Sequence, residues 1–141
     1  MRVAVSERPY ARIKVWLMSE IDDPALLPGL ARRELAGWLE DRRALGDLQL
    51  IASELVSNAV LHGSGGWVRM SLRPVEQRER RFWRLNVVDP GLSASVPMPR
   101  MPGPHEQTGR GLWVVDALTN GCWETSLTQV GERVVSALLP R

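Results

Sequence analysis

Apolar and polar positions along the chain follow two periods. Between Arg12 and Met18 they alternate, with Ile13, Val15 and Leu17 set against Lys14 and Trp16, the period of two that predicts a strand. From Asp23 to Leu39 the spacing lengthens. Leu27, Leu30, Ala31, Leu35, Trp38 and Leu39 gather on one side of a predicted helix, with Pro24 and Pro28 comfortable only in its first turn. A second helix is predicted from about Leu48 to Leu61, with Asp47 as its N-cap and Gly63-Ser64-Gly65-Gly66 ending it. Alternation then returns as Val68, Met70 and Leu72 against Arg69, Ser71 and Arg73. A charged loop from Pro74 to Arg81 leads into a strand from Phe82 to Val88, giving a hairpin with a long basic tip. After Asp89-Pro90-Gly91 comes an irregular, proline-rich stretch to Thr108, then a short helix from Gly111 to Leu118. Two last strands, about Trp123 to Leu127 and Arg133 to Leu139, flank a turn holding Gly131. Segregated helices and paired strands predict an α+β fold: a two-layer sandwich with helices on one face of a mixed, largely antiparallel sheet.

Composition narrows the class. The 141 residues fit one domain, 1–141, with residues 1–10 as an N-terminal extension. Apolar residues make up 44% and charged residues 24%, ordinary for a soluble globular chain. One cysteine, Cys122, excludes an internal disulfide framework and is expected to be a small buried residue. The start has no apolar signal-peptide core, and no apolar run approaches the ~20 residues of a membrane span, so a cytoplasmic location and no membrane partner are expected. Lys14 is the single lysine, and the net charge is only +2, too mild a balance to argue for nucleic acid.

Candidate chemistry begins on the second helix. At about 100° per residue, Leu48, Ile51, Ala52, Leu55, Val56 and Ala59 form an apolar stripe. Glu54, Asn58 and His62 follow one another at steps of four and form a polar row beside it, at the rim of the core. A half-desolvated carboxylate beside an amide oxygen suits proton transfer and a hard, hydrated cation such as magnesium. The same row is also what a solvated helix edge with a bonded boundary amide produces. His62 is equally readable as a capping or core histidine.

Two glycine turns add to this. Asp89 ends a buried-looking strand, and a carboxylate there can accept from an exocyclic amine such as adenine's, with Gly91 allowing close backbone approach. Asp-Pro-Gly is equally a common turn sequence. Thr108-Gly109-Arg110-Gly111-Leu112 opens the third helix. Glycines there leave N–H groups free for phosphate, the helix dipole adds attraction, and Arg110 adds a charged contact. Glycines before helices are also frequent without any ligand. The arginines at Arg73, Arg78, Arg80, Arg81 and Arg84 read as a solvated hairpin or as a basic patch. Most of the six tryptophans read as core or face residues, with Trp113 packing under the glycine turn.

In combination these segments resemble a known family. The run Ile51-Ala52-Ser53-Glu54-Leu55-Val56-Ser57-Asn58-Ala59-Val60-Leu61-His62-Gly63 resembles the N box of the GHKL ATPases. Asp89-Pro90-Gly91 resembles their G1 box and Gly109-Arg110-Gly111-Leu112 their G2 box, and the likeness extends from about Pro24 to Leu139. Within that family the short length and the wording of the boxes are similar to the anti-sigma factor serine kinases, including small actinobacterial regulators. The resemblance implies a Bergerat-type sandwich that binds ATP with Mg2+. Glu54 would be the catalytic base and Asn58 the magnesium ligand. Asp89 would hold the adenine amine, with Gly91 beside the ring. Gly109, Arg110, Gly111 and Leu112 would hold phosphates under a lid at about residues 92–108. The partners implied are a sigma factor and an antagonist (anti-anti-sigma) protein, with a homodimer possible and no direct nucleic-acid contact. The expected activity is transfer of the ATP γ-phosphate to an antagonist serine, and the alternative is a non-catalytic module that senses ATP or binds a partner. Two positions depart from the family's pattern: Ser93 stands where a second G1 glycine is frequent, and Arg133 stands in the Gly131-Glu132-Arg133 turn where a threonine commonly supports the adenine site.

Overall fold

The computed structural model describes residues 11–62, 65–91 and 108–141. The expected extension at 1–10, Gly63 and Ser64, and the proline-rich stretch 92–107 with Ser93 and His105 lie outside the described residues. The described elements run β1 (Arg12–Leu17), α1 (Leu27–Trp38), α2 (Arg42–His62), β2 (Trp67–Gln77), β3 (Arg80–Asp89), α3 (Thr108–Thr119), β4 (Trp123–Leu127) and β5 (Arg133–Pro140). The five strands form one sheet in the order β1-β2-β3-β5-β4. Every neighbouring pair in it is antiparallel, so the sheet is simpler than the mixed one expected. The fold is an α+β two-layer sandwich.

The core lies between the helices and one face of the sheet. Leu27, Ala31 and Leu35 of α1 and Leu48, Ile51 and Leu55 of α2 are buried there against Val68, Met70, Leu85, Val87, Val135 and Ala137 from the strands. Each fully buried side chain of this size stabilises the fold by roughly 1.5–3 kcal/mol, so the two amphipathic patterns have no better solution than facing each other. Polar groups also join α1 to α2. Arg32 Nη1 donates to Ser53 Oγ (2.8 Å), Ser53 Oγ donates to the Gln49 carbonyl (2.9 Å), and Gln49 Nε2 donates to the Arg32 carbonyl (3.0 Å).

Four expectations are corrected. In β1 the alternation is present but its buried member is Trp16, while Ile13, Val15 and Leu17 are exposed. Trp16 pairs with Val68, which looks toward the helices, so register fixes the facing. The second helix begins at Arg42, with Ala44 and Leu45 buried and the Asp41 carboxylate accepting from the Arg43 N–H at 2.9 Å. Asp41 thus does the capping expected of Asp47, which lies inside the helix. The long basic tip is a two-residue turn: Gln77 pairs with Arg80, and Arg78 and Glu79 both have positive φ (50° and 67°). Pro74 is accommodated because the β1 pairing reaches only to Leu72, so that among the described residues this part of β2 has one edge without a partner strand. Finally, α3 starts at Thr108, so Gly109, Arg110 and Gly111 belong to its first turn.

Candidate functional site

The residues singled out on α2, β3 and α3 converge where the paired strands β3 and β5, in the interior of the sheet, meet the two helices. On α2, Glu54 is half-buried and Asn58 is buried, while His62 sits half-buried at the helix end. Partial burial raises the Glu54 pKa above the ordinary glutamate value, because a desolvated carboxylate is harder to ionise. Its carboxylate lies against the α3 backbone. A methyl group added at Gly111 would come within 2.5 Å of Glu54 Oε2, so glycine there makes room for this side chain.

Asn58, one turn further along α2, has its Nδ2 buried without a hydrogen-bond partner among the described residues. A buried amide left unpaired is costly, and which end of the amide carries oxygen is settled by its partners. An unpaired amide beside a carboxylate and a helix start fits an external polar ligand. The same set would accept a metal through the Asn58 side-chain oxygen and phosphate through α3, whose first N–H groups lack intrahelical acceptors. Thr108, Gly109, Arg110 and Gly111 make up that first turn. Leu112, the next residue, sends its side chain into the core.

Asp89 is the buried end of β3, 2% exposed. Leu85 and Val87 place the helix-facing period on it, so its carboxylate points inward instead of ending the strand in solvent. Both oxygens are engaged. Oδ1 accepts from the Gly91 N–H at 2.8 Å, closing a tight turn. Oδ2 accepts from Arg133 Nε at 3.0 Å and from Arg133 Nη2 at 2.7 Å. Arg133 stands opposite Asp89 in the β3–β5 ladder, is likewise 2% exposed, and reaches the Asn58 carbonyl through Nη2 at 3.5 Å. Gly91 has φ 72°, and an added Cβ would run into the Gly131 carbonyl and the Arg133 N–H, so the two turns interlock through glycine backbone.

Two other expectations resolve differently, for Trp113 and Cys122, while the hairpin arginines fit the solvated reading, with Arg73, Arg78, Arg80 and Arg81 exposed. Trp113 is 46% exposed on the outer side of α3 and does not pack under the helix start. Cys122 is exposed as well. The hairpin arginines are spread out: Arg80 lies over the Phe82 ring, and Arg84 has its Nε buried without a partner among the described residues. A surface cleft lined by Gln77, Arg84, Cys122, Glu124, Ser136 and Leu138 contains none of the residues expected to hold nucleotide or metal, and the side chains that β3 and β5 contribute to it point away from the helices. The residue missed as a site member is Arg133. Its signal was present: counting back from Leu139 through Ala137 and Val135 in steps of two places Arg133 on the buried face.

Among the described residues no helix is long and apolar enough to cross a membrane. A family model described as a histidine kinase-like ATPase domain matches residues 22–136. No curated protein matches the chain.

Proposed function

Because this chain belongs to the histidine kinase-like ATPase domain family, of GHKL type and ATP-binding, we propose that it is an anti-sigma regulatory factor. In this reading it sequesters a sigma factor and acts as a protein serine/threonine kinase on an antagonist protein. The observation that carries the kinase reading is Glu54: a half-buried carboxylate of raised pKa, held against the first turn of α3, one helical turn from Asn58, whose Nδ2 has no hydrogen-bond partner among the described residues. A raised pKa makes a carboxylate a stronger base.

Bound Mg–ATP would supply the phosphoryl group, with the metal neutralising charge on it. The chain's own groups do the rest. Asn58 holds the cation through its side-chain oxygen. The N–H groups at Thr108, Gly109 and Arg110 hold phosphate oxygens, and Asp89 with Gly91 forms the floor of the base site. Glu54 takes the proton from the incoming serine hydroxyl as that oxygen becomes the nucleophile.

Titration of the purified protein with ATP, with and without magnesium, tests the binding half. ATP is expected to bind, and Asn58→Ala to abolish the magnesium dependence. Transfer of labelled γ-phosphate to the cognate antagonist tests the kinase half. Glu54→Ala should reduce it by roughly 10²–10⁴-fold, the usual worth of a general base. Unchanged transfer would remove Glu54 from the chemistry.

One observation favours a second reading. The Asp89 carboxylate is already engaged by a buried arginine, as suits a module that binds nucleotide or partner without turnover. Any γ-phosphate transfer eliminates that reading.

A further inference from the structure

We propose that Arg133 is the residue that sets base selectivity, and that it opens the site to 6-oxopurine nucleotides such as ITP and GTP as readily as to ATP. This rests on the nucleotide-binding reading above, in which Asp89 forms the floor of the base site.

The inference starts from hydrogen-bond capacity. A carboxylate offers about four acceptor positions. Three of those on Asp89 are taken: one by the Gly91 N–H, and two by Arg133 Nε and Nη2. The carboxylate is thereby neutralised and has little left for an exocyclic amine. Arg133 is differently placed. A guanidinium carries five N–H groups in a rigid fork. Two point at Asp89, and a third reaches the Asn58 carbonyl at the long distance of 3.5 Å. The Nη1 donors make no hydrogen bond among the described residues.

The polar edge formed by Asp89 and Arg133 is therefore rich in donors and poor in acceptors. Adenine presents a donor at its 6-position. Hypoxanthine and guanine present a carbonyl there, and arginine is the side chain that most often reads the carbonyl and N7 edge of guanine. The pair is also fixed in place. Arg133 and Asp89 face each other in the ladder, both are 2% exposed, and Gly91 and Gly131 let the flanking turns press together. Moving the guanidinium aside for an adenine amine would strand a buried charge.

Competitive titration of ATP against ITP, which exchanges the 6-amino group for a carbonyl, is the test, read as binding and not as turnover. In the unaltered protein the ATP-to-ITP affinity ratio is expected below ten. A site built to hydrogen-bond a particular group discriminates far more strongly, by about 10⁴ or more. In Arg133→Thr, which frees the carboxylate, the ratio should rise at least tenfold in favour of ATP. Arg133→Lys keeps a cation on Asp89 without spare fork donors. It should move the ratio in the same direction, and it serves if the threonine variant does not fold.

A ratio above ten in the unaltered protein overturns the proposal. So does a rise smaller than tenfold in the threonine variant or, if that does not fold, an unmoved ratio in the lysine variant. If no nucleotide binds at all, the nucleotide-binding reading itself falls and takes this inference with it. Binding with the wrong ratio defeats the inference alone.

Discussion

Gly111 and Glu54 form a pair in which one residue's missing side chain sets the other's position. The clash foreseen for a Cβ at Gly111 is with the far end of the Glu54 side chain, which can swing away at little cost to folding. Alanine is also the better helix former, by up to about 1 kcal/mol. Gly111→Ala is thus expected to melt at or slightly above the unaltered temperature while losing at least tenfold in phosphotransfer. Full transfer in that variant would mean that the position of the carboxylate is immaterial. The raised pKa of Glu54 gives a second expectation, in the linkage between pH and stability. A carboxyl whose folded pKa lies above its unfolded one favours the native state below the unfolded value, about 4.3, and loses that contribution as pH rises through the folded value. Keeping Glu54 ionised therefore costs stability at neutral pH, and Glu54→Gln removes the cost. In urea melts the glutamine variant should be the more stable at pH 7, with the gap closing by pH 4. A gap that stays constant across that range would mean the gain comes from packing and not from ionisation.

Among the elements, the hairpin of β2 and β3 shows how a correct pattern can carry a wrong connection. The alternating positions marked both strands, but the charged residues from Pro74 to Arg81 concealed how far the pairing continues. Arg78 and Glu79 occupy left-handed backbone, a cost of roughly 1–2 kcal/mol per residue that a sequence offers no reason to expect of these side chains. Two-residue turns of this kind favour Asn-Gly. Replacing Arg78-Glu79 by Asn-Gly should stabilise the protein by about 1 kcal/mol in denaturant titration without affecting nucleotide binding, since the turn lies at the far end of the β3 strand from Asp89. A loss of stability would show that the two charged side chains contribute more than the backbone strain they impose. The start of α2 was hidden for a related reason. Its first turns depend on a cap at Asp41 and on burial of Ala44 and Leu45 against the rest of the core, and tertiary contacts of that kind leave only a faint local period.

For the molecule as a whole, the layers were legible because two periods, of two and of 3.6, survive in nearly every element. The polar row of Glu54 and Asn58 was legible because spacing on α2 is a local feature, whereas its grouping with Asp89 and Gly111 came only through the resemblance of the three segments to the GHKL boxes. What stayed hidden was pairing across the sheet. Trp16 faces the core through its partner Val68, and Arg133 meets Asp89 through a register that joins positions 44 residues apart. Both are properties of the assembled sheet and not of either segment. The same assembly makes a prediction about stability. The candidate site draws on α2, α3, β3 and β5, so a ligand there ties the helical layer to the centre of the sheet and binds the folded chain alone. At a free Mg–ATP concentration of 100 times its dissociation constant, linkage adds about 2.7 kcal/mol, which for a chain of this size raises the melting temperature by roughly 5–10 °C. With Asn58→Ala, ATP should give the same smaller shift whether or not magnesium is present, because the amide is the proposed cation ligand. If the variant keeps the full magnesium-dependent shift, the cation is held elsewhere and the Asn58 side chain is not its ligand.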